Sequence, residues 1–320
     1  MKNLILGIII LISFSGRLAF SQQVPISAMY PYNTSFINPA EVGTKKGTQV
    51  QLRHRQQWVG FVGSPNTTFL SAQRQLNSKM GIGGNISLDK IAFIQRINAN
   101  ASYSYKLFID NKSKIRFGLS AGIMKGTLDL TTIQADDMSD IVLTSAPLKM
   151  TFDAAFGMAY TFDRDLNIGI ALPQLLGTKA SVDIVDGSKY NLVRHSNVYI
   201  SYKIKVDEQF EFIPLIMVRN AQKKNSQVEV FGNIKYNNKV WGGIGHRSNS
   251  VFILNMGMQL IDKLSLTYAF EFSSSGVGSN TSGTHEIMLS LNLNKAPEAP
   301  LEEEVAPEEE PTERKTSTSF

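Results

Sequence analysis

The sequence predicts an all-β fold: a transmembrane antiparallel β-barrel of about 14 strands, with a short N-terminal plug segment and a disordered acidic C-terminal tail. Three observations predict it. The chain begins with a cleavable leader, continues with about 14 segments of alternating apolar and polar residues, and changes composition at residue 295. We therefore expect a signal peptide (1–21), an irregular plug segment (22–46), a barrel (47–294) and an acidic tail (295–320).

The leader has the three parts of a secretory signal peptide. Lys2 gives a basic start, 4–12 is apolar, and Ala19 and Ser21 flank Phe20 as a small-x-small cleavage site. The apolar run is too short to cross about 30 Å of hydrocarbon as a helix, and the mature chain has no run of 18 apolar residues. The protein is thus expected to be exported. Because it contains no Cys, it is neither a lipoprotein nor a disulfide scaffold.

Alternation with a period of two gives a strand one apolar and one polar face. Leu264, Leu266 and Tyr268 share one face of such a segment, and Ser265 and Thr267 share the other. A water-soluble β-sandwich would produce the same alternation, so the pattern does not decide by itself. The leader and the absence of helix-period segments favour a single barrel in the outer membrane, where closure satisfies every strand edge.

The predicted strands number 14, and an even number closes an antiparallel barrel with both chain ends on the periplasmic side. Loops 125–149, 173–192 and 273–282 are long, and their sidedness is left open. The strands are predicted at 47–57, 66–76, 79–88, 95–108, 114–124, 150–161, 165–172, 193–205, 209–218, 226–236, 240–247, 250–260, 263–272 and 283–293.

Side chains cannot fill the interior of a barrel of this size, so the lumen must be open or plugged. Residues 22–46 are irregular and contain Pro25, Pro31 and Pro39. We expect them to fold inside or beneath the barrel, with Tyr30 and Tyr32 as plug contacts or interfacial aromatics.

The net charge of +5 hides an asymmetry. Residues 295–320 carry eight Glu against three basic residues, a net of −5, which leaves +10 on the rest of the chain. An exported protein rarely meets nucleic acid, so none is predicted as a partner. Lipopolysaccharide or an acidic protein is the favoured counterpart, with a solvated surface as the alternative. The tail composition cannot bury enough apolar surface to fold.

The residues give no sign of catalysis, and neither a cofactor nor a metal site is predicted. His285 and Glu286 are adjacent on a strand, so they point to opposite faces and cannot act as a dyad. The acidic segment 136–140 could attract a cation, although a polar loop is the plainer explanation. The glycine-rich stretch 81–84 marks close packing or bending.

Several motifs resemble the PorP/SprF family of Bacteroidota outer-membrane proteins. A pattern R-x-Q-W followed by G-x-P-x-T occupies 55–67, and weaker matches follow the family order elsewhere up to about residue 293. The matching positions are Asn38, Pro39, Ala40, Arg55, Gln57, Trp58, Gly63, Pro65, Thr67, Trp241, Arg247, His285 and Glu286.

The resemblance implies a non-enzymatic outer-membrane barrel of the type IX secretion system and gliding machinery, needed to secrete or anchor a large cell-surface adhesin through its C-terminal sorting domain. It implies as partners that adhesin, other secretion and gliding subunits, and outer-membrane lipid with lipopolysaccharide. The alternative is a FadL-like transport channel for hydrophobic or small solutes. The motif residues could be structural or partner-binding, and interfacial packing is the plainer explanation for Trp58.

Overall fold

The computed structural model describes residues 26–128, 150–176, 181–183, 189–191, 194–221, 226–248 and 250–293. Fourteen strands of these residues form one barrel. They are β1 (Thr48–Gln56), β2 (Asn66–Gln75), β3 (Met80–Ile91), β4 (Ile94–Phe108), β5 (Ser113–Leu128), β6 (Thr151–Phe162), β7 (Leu166–Leu172), β8 (His195–Tyr202, continued by Ile204–Lys205), β9 (Phe210–Ala221), β10 (Gln227–Tyr236), β11 (Val240–Arg247), β12 (Val251–Ile261), β13 (Leu264–Ser273) and β14 (Thr284–Leu293).

Each strand pairs antiparallel with the next along the chain, and β1 pairs with β14 from Thr48 opposite Leu293 to Gln56 opposite His285. The sheet is therefore closed, and no barrel strand leaves an edge unpaired. The predicted strands are confirmed to within a few residues. The largest differences are β5, which runs to Leu128, and β8, which is interrupted at Lys203.

Side-chain parity divides the wall into two faces, as the alternation predicts. On β13, Thr267, Ala269 and Glu271 are buried, whereas Phe272 is 42% exposed. On β14, Glu286 is buried and Ile287 is 46% exposed. Apolar residues that are open to the surroundings thus lie on the outer face, where lipid replaces water, and the polar parity faces the lumen.

The N-terminal segment, 26–46, contains two short 3-10 helices, Thr34–Phe36 and Pro39–Glu41. Its polar groups contact inward-facing residues of strands all around the wall, including β1, β2, β4, β5, β8, β10, β12 and β14. A segment that reaches so many strands of a closed sheet must lie in the lumen.

The two ends of the barrel differ. At the terminal end, where β1 begins and β14 ends, six connections of two to four residues join the strands. At the loop end lie connections 57–65, 129–150, 173–194 and 274–283, so the three loops that the sequence marks as long share one side. Part of that side lies outside the described residues, including segment 136–140. A two-stranded hairpin of Ser181–Asp183 and Lys189–Asn191, which the alternation does not predict, belongs to the loop end.

The short turns are fixed by local polar contacts. In the β4–β5 turn the Asp110 carboxylate accepts the backbone N–H groups of Lys112 (2.7 Å) and Ser113 (2.6 Å), which lowers the pKa of Asp110. Throughout the described part of the chain, no helix is long and apolar enough to cross a membrane.

Candidate functional site

A chain of buried charges crosses the lumen near the loop end. Strand parity turns these side chains inward on six strands, and acidic and basic groups alternate around the wall. We call this set the lumenal ion cluster; its members in spatial order are Arg53, Glu286, Arg55, Glu271, Arg247, Glu229 and Arg219.

Glu271 is the most heavily bonded carboxylate of the cluster. It accepts two hydrogen bonds from Arg55 (3.0 and 2.8 Å) and two from Arg247 (3.0 and 3.1 Å). Forked pairs of this kind are the strongest ionic contacts that proteins form. They join β1 to β13 and β13 to β11 by side chains, independently of the backbone ladder.

Glu286 connects the wall to the N-terminal segment. Its carboxylate accepts the backbone N–H of Ala28 (2.9 Å) and the hydroxyl of Ser27, while Arg55 donates to it at 3.1 Å. Arg53 donates to the Ser27 hydroxyl from the other side. The start of the described chain is thereby held at the level of the ion cluster.

Apolar packing lies beside the charges. Tyr30 is fully buried and meets Phe231 edge to face, with ring centroids 5.5 Å apart. The guanidinium of Arg53 lies between the rings of Phe36 (4.1 Å) and Phe69 (3.9 Å). The N-terminal segment is therefore packed against the wall as well as hydrogen-bonded to it.

The Asn38–Pro39–Ala40 motif forms a tight turn against the wall. The Asn38 side chain accepts the N–H of Ala40 (2.9 Å) and donates to the hydroxyl of Tyr199 (3.1 Å). Gly118 makes room for the turn, because a Cβ placed on it would lie 2.2 Å from the Ala40 nitrogen.

A second ion pair anchors the segment toward the terminal end. The buried carboxylate of Glu41 accepts from Arg116 (2.8 Å), Asn167 (2.8 Å) and Tyr199 (2.7 Å). Ser104 then donates to the Val42 carbonyl at 2.7 Å, and Gly81 lies so close that a Cβ on it would meet that carbonyl oxygen at 2.4 Å. The glycine-rich stretch in β3 therefore marks close packing, as the sequence predicts.

The hairpin 57–65, which carries part of the R-x-Q-W and G-x-P-x-T motif, is fixed to its neighbours by backbone hydrogen bonds.

 Val59 donates to Gly283 O (2.8 Å), Ser282 donates back to Val59 O (2.9 Å), and Ala92 of the β3–β4 turn donates to Gly63 O (3.0 Å). Gly63 has φ +73°, a left-handed conformation that favours glycine. The hairpin is therefore part of a connected surface at the loop end.

Within this hairpin, the motif residues have structural contacts. Gln57 donates its backbone N–H to Pro65 O (2.8 Å), and Trp58 donates its own to the Thr284 hydroxyl (3.2 Å). At the start of β2, the buried Thr67 hydroxyl donates to Asp89 (2.6 Å). The first contact closes the hairpin at its base, the second joins it to β14, and the third joins β2 to β3.

Three of the apolar side chains exposed at the loop end belong to the 57–65 hairpin and to the loop beside it. Phe61 is 53% exposed, Val62 95% and Val277 47%. The first two lie at the tip of the hairpin and the third in the loop 274–283 that the hairpin bonds to. We call these three residues the tip patch.

The remaining motif residues lie on opposite faces of the wall. Trp241 faces the lumen, with its ring 6.1 Å from that of Tyr32. His285 faces outward, and its Nδ1 and Nε2 contact the Tyr268 hydroxyl (2.6 Å) and Ser282 O (3.3 Å). The structure thus separates His285 from Glu286, as strand parity predicts. Among the described residues, no group of three or more His, Asp or Glu could hold a metal ion.

The motif residues are only partly brought together. Arg55, Arg247 and Glu286 meet in the ion cluster, whereas the Asn38 turn and the 57–65 hairpin lie elsewhere. The motifs do not include Arg53, Arg219, Glu229 and Glu271. Counting inward positions from the loop end of each strand would have placed Glu229 and Glu271 at the same depth in the barrel. Strand parity fixes the face on which a side chain lies, and register fixes its depth.

A family model described as "Type IX secretion system membrane protein PorP/SprF" matches residues 19–291. The chain belongs to this family. The PorP/SprF barrel is an outer-membrane fold, and the family resemblance of the sequence motifs is confirmed. No curated protein matches the chain.

Solved structures are similar to this PorP/SprF protein. One is a TodX deltaS2S3 mutant monoaromatic hydrocarbon channel, with 10% identity, a TM-score of 0.52 and coverage of 82% of this chain and 94% of that one. Another is the Acinetobacter baumannii outer membrane protein Omp33, with 8% identity, a TM-score of 0.48 and coverage of 78% and 100%. At 10% identity, the likeness to the TodX mutant shows the fold alone.

Proposed function

We propose that this PorP/SprF barrel is a non-enzymatic holding subunit of the type IX secretion and gliding machinery, needed for secretion or surface anchoring of a large adhesin through its C-terminal sorting domain. The observation that carries the proposal is the N-terminal segment, which is bonded to the lumen wall at Glu286, Tyr199 and Arg116. A lumen filled in this way favours holding a partner over passing a solute.

The tip patch supplies a surface for that partner. Its three apolar side chains are exposed at the end that carries the long loops, which in outer-membrane barrels is the extracellular end. The hairpin beneath Phe61 and Val62 is held on two sides by backbone hydrogen bonds, so little conformational entropy is lost when a partner binds.

Deletion and complementation test the proposal. We expect deletion of the gene to lower surface adhesin and gliding, and the native gene to restore both. A triple variant of the tip patch, Phe61→Ser, Val62→Ser and Val277→Ser, should assemble normally but restore neither, because truncated interface anchors each cost more than about 1 kcal/mol of binding. Adhesin is measured on the surface of intact cells.

The matched control is Val206→Ser, which changes a 65% exposed valine in a terminal-end turn and should restore function fully. Unchanged adhesin and gliding after deletion would overturn the proposal. Steady conductance of the purified native protein in a planar bilayer, or solute uptake, would instead support a transport channel.

The orientation of the barrel in the outer membrane is tested by cysteine labelling, since the native chain contains no Cys. We expect Val62→Cys to react with a membrane-impermeant maleimide on intact cells. Asn111→Cys, in the β4–β5 turn at the terminal end, should react only after the outer membrane is permeabilised. The reverse pattern would place the loop end in the periplasm and contradict the assignment of the tip patch to the cell surface.

A further inference from the structure

Inward-facing lysines gather at the terminal end of the lumen. They share the parity of the buried residues Ser104, Arg116, Tyr199 and Asn233 on their strands, so they project into the mouth. We call this set the basic vestibule; its members are Lys106 on β4, Lys114 on β5, Lys203 and Lys205 on β8, and Lys235 on β10.

Acidic groups at this mouth compensate only part of that charge. Glu211 is the register partner of Lys235, and Asp165 lies 3.3 Å from Lys203. The inward-facing and turn residues of this end, with Lys45 and Lys46, comprise twelve basic side chains against seven acidic ones, a net of +5. Besides the residues already named and the two lysines Lys45 and Lys46 of the N-terminal segment, the count includes the turn residues Lys79, Lys112, Arg164, Lys239 and Lys263 against Asp110, Asp163, Asp207, Glu208 and Asp262.

The acidic tail begins at the same end. β14 ends at Leu293, and residues 295–320 carry eight Glu with a net charge of −5. Twenty-seven residues follow Leu293, and a chain of that length can extend to roughly 90 Å at most. A closed sheet of 14 strands is on the order of 25–30 Å across, so the tail reaches lysines on any side of the mouth.

We propose that the acidic tail binds back into the basic vestibule of its own barrel. The attraction is between opposite charges of matching net value, and the tether keeps the tail at a high effective concentration beside the mouth. This contact is independent of the adhesin function proposed above. It would occupy the terminal-end mouth of the lumen with glutamate side chains that are displaceable by salt or by a competing acidic segment.

Distance measurement between two spin labels tests the proposal in the full chain. One label is placed at Thr316→Cys in the tail and the other at Asn238→Cys in the β10–β11 turn, with no native Cys to interfere. We expect a short-distance population in about 0.05 M salt that is lost in about 0.5 M salt, since the Debye length falls from above 10 Å to about 4 Å.

Removing charge from the acidic tail or from the basic vestibule provides the controls. Replacing the eight tail glutamates by Gln, or Lys203 and Lys205 by Gln, should abolish the short distances. Lys125→Gln, which removes one positive charge near the loop end of β5, should leave them unchanged. Distances that are the same with the Glu and Gln tails would overturn the proposal, as would short distances that appear only when a second protein is added.

Discussion

Glu271→Gln should destabilise the barrel by about 3–5 kcal/mol, the cost of leaving a buried ion pair without one partner. The glutamate is shared by Arg55 and Arg247, whose guanidiniums are almost completely buried, and its loss leaves each arginine with a single carboxylate partner. In the variant, an amide N–H donor replaces one carboxylate oxygen, and it faces two guanidiniums that can only donate hydrogen bonds. The free energy of unfolding is measured by urea titration of the barrel folded in lipid vesicles.

Asp262→Asn is the matched control, because it makes the same chemical change in an exposed turn and should shift the free energy of unfolding by no more than about 0.5 kcal/mol. A double variant, Glu271→Gln with Arg247→Met, should recover part of the loss because it returns the net charge of the buried cluster to its native value. Equal shifts for Glu271→Gln and Asp262→Asn would mean that water screens the cluster.

The wall of the barrel could be predicted from the sequence because its determinants are local. Alternation along β13 and β14 assigns Leu266 and Ile287 to the outer face and Thr267 and Glu286 to the lumen without any knowledge of their neighbours. Turn residues between the strands then set the strand count, and the sheet must close because an unpaired strand edge cannot be satisfied in lipid.

The interior could be predicted only in part, because its contacts join residues far apart in sequence. Tyr199 sits at an inward position of β8 where an aromatic is unexpected beside Asn197 and Ser201, and its partners Asn38 and Glu41 lie about 160 residues earlier. Periodicity says which way a side chain points. It does not say which part of the N-terminal segment will reach it.

Glycines at inward positions are the one sequence signal of that packing. A missing side chain on the lumen face leaves room for backbone to approach, as Gly118 does for Ala40 and Gly81 for Val42. The same glycines read from sequence alone could mark a bend in the strand, so the partner segment is not specified until the register of the closed sheet is known.

Gly118→Ala should displace the Asn38–Ala40 turn from the wall. The added Cβ would lie 2.2 Å from the Ala40 nitrogen and 2.2 Å from the Pro39 carbonyl carbon, and these are backbone atoms that no rotamer change can move. Overpacking of this kind costs about 1–3 kcal/mol, which the segment can relieve by leaving its site. Hydrogen exchange of the folded protein should show faster exchange at Ala40 and Val42.

Ala28 should keep its protection in the same variant, because its N–H is bonded to Glu286 at the other end of the segment. Gly232→Ala is the matched control: its Cβ would approach only the ring of Phe212, at 3.3 Å, which can turn aside. If the segment closes the lumen, Gly118→Ala should also conduct in a planar bilayer where the native protein and Gly232→Ala do not. Unchanged exchange at Ala40 would show that the wall yields instead of the segment, and that the turn is held more firmly than the strand behind it.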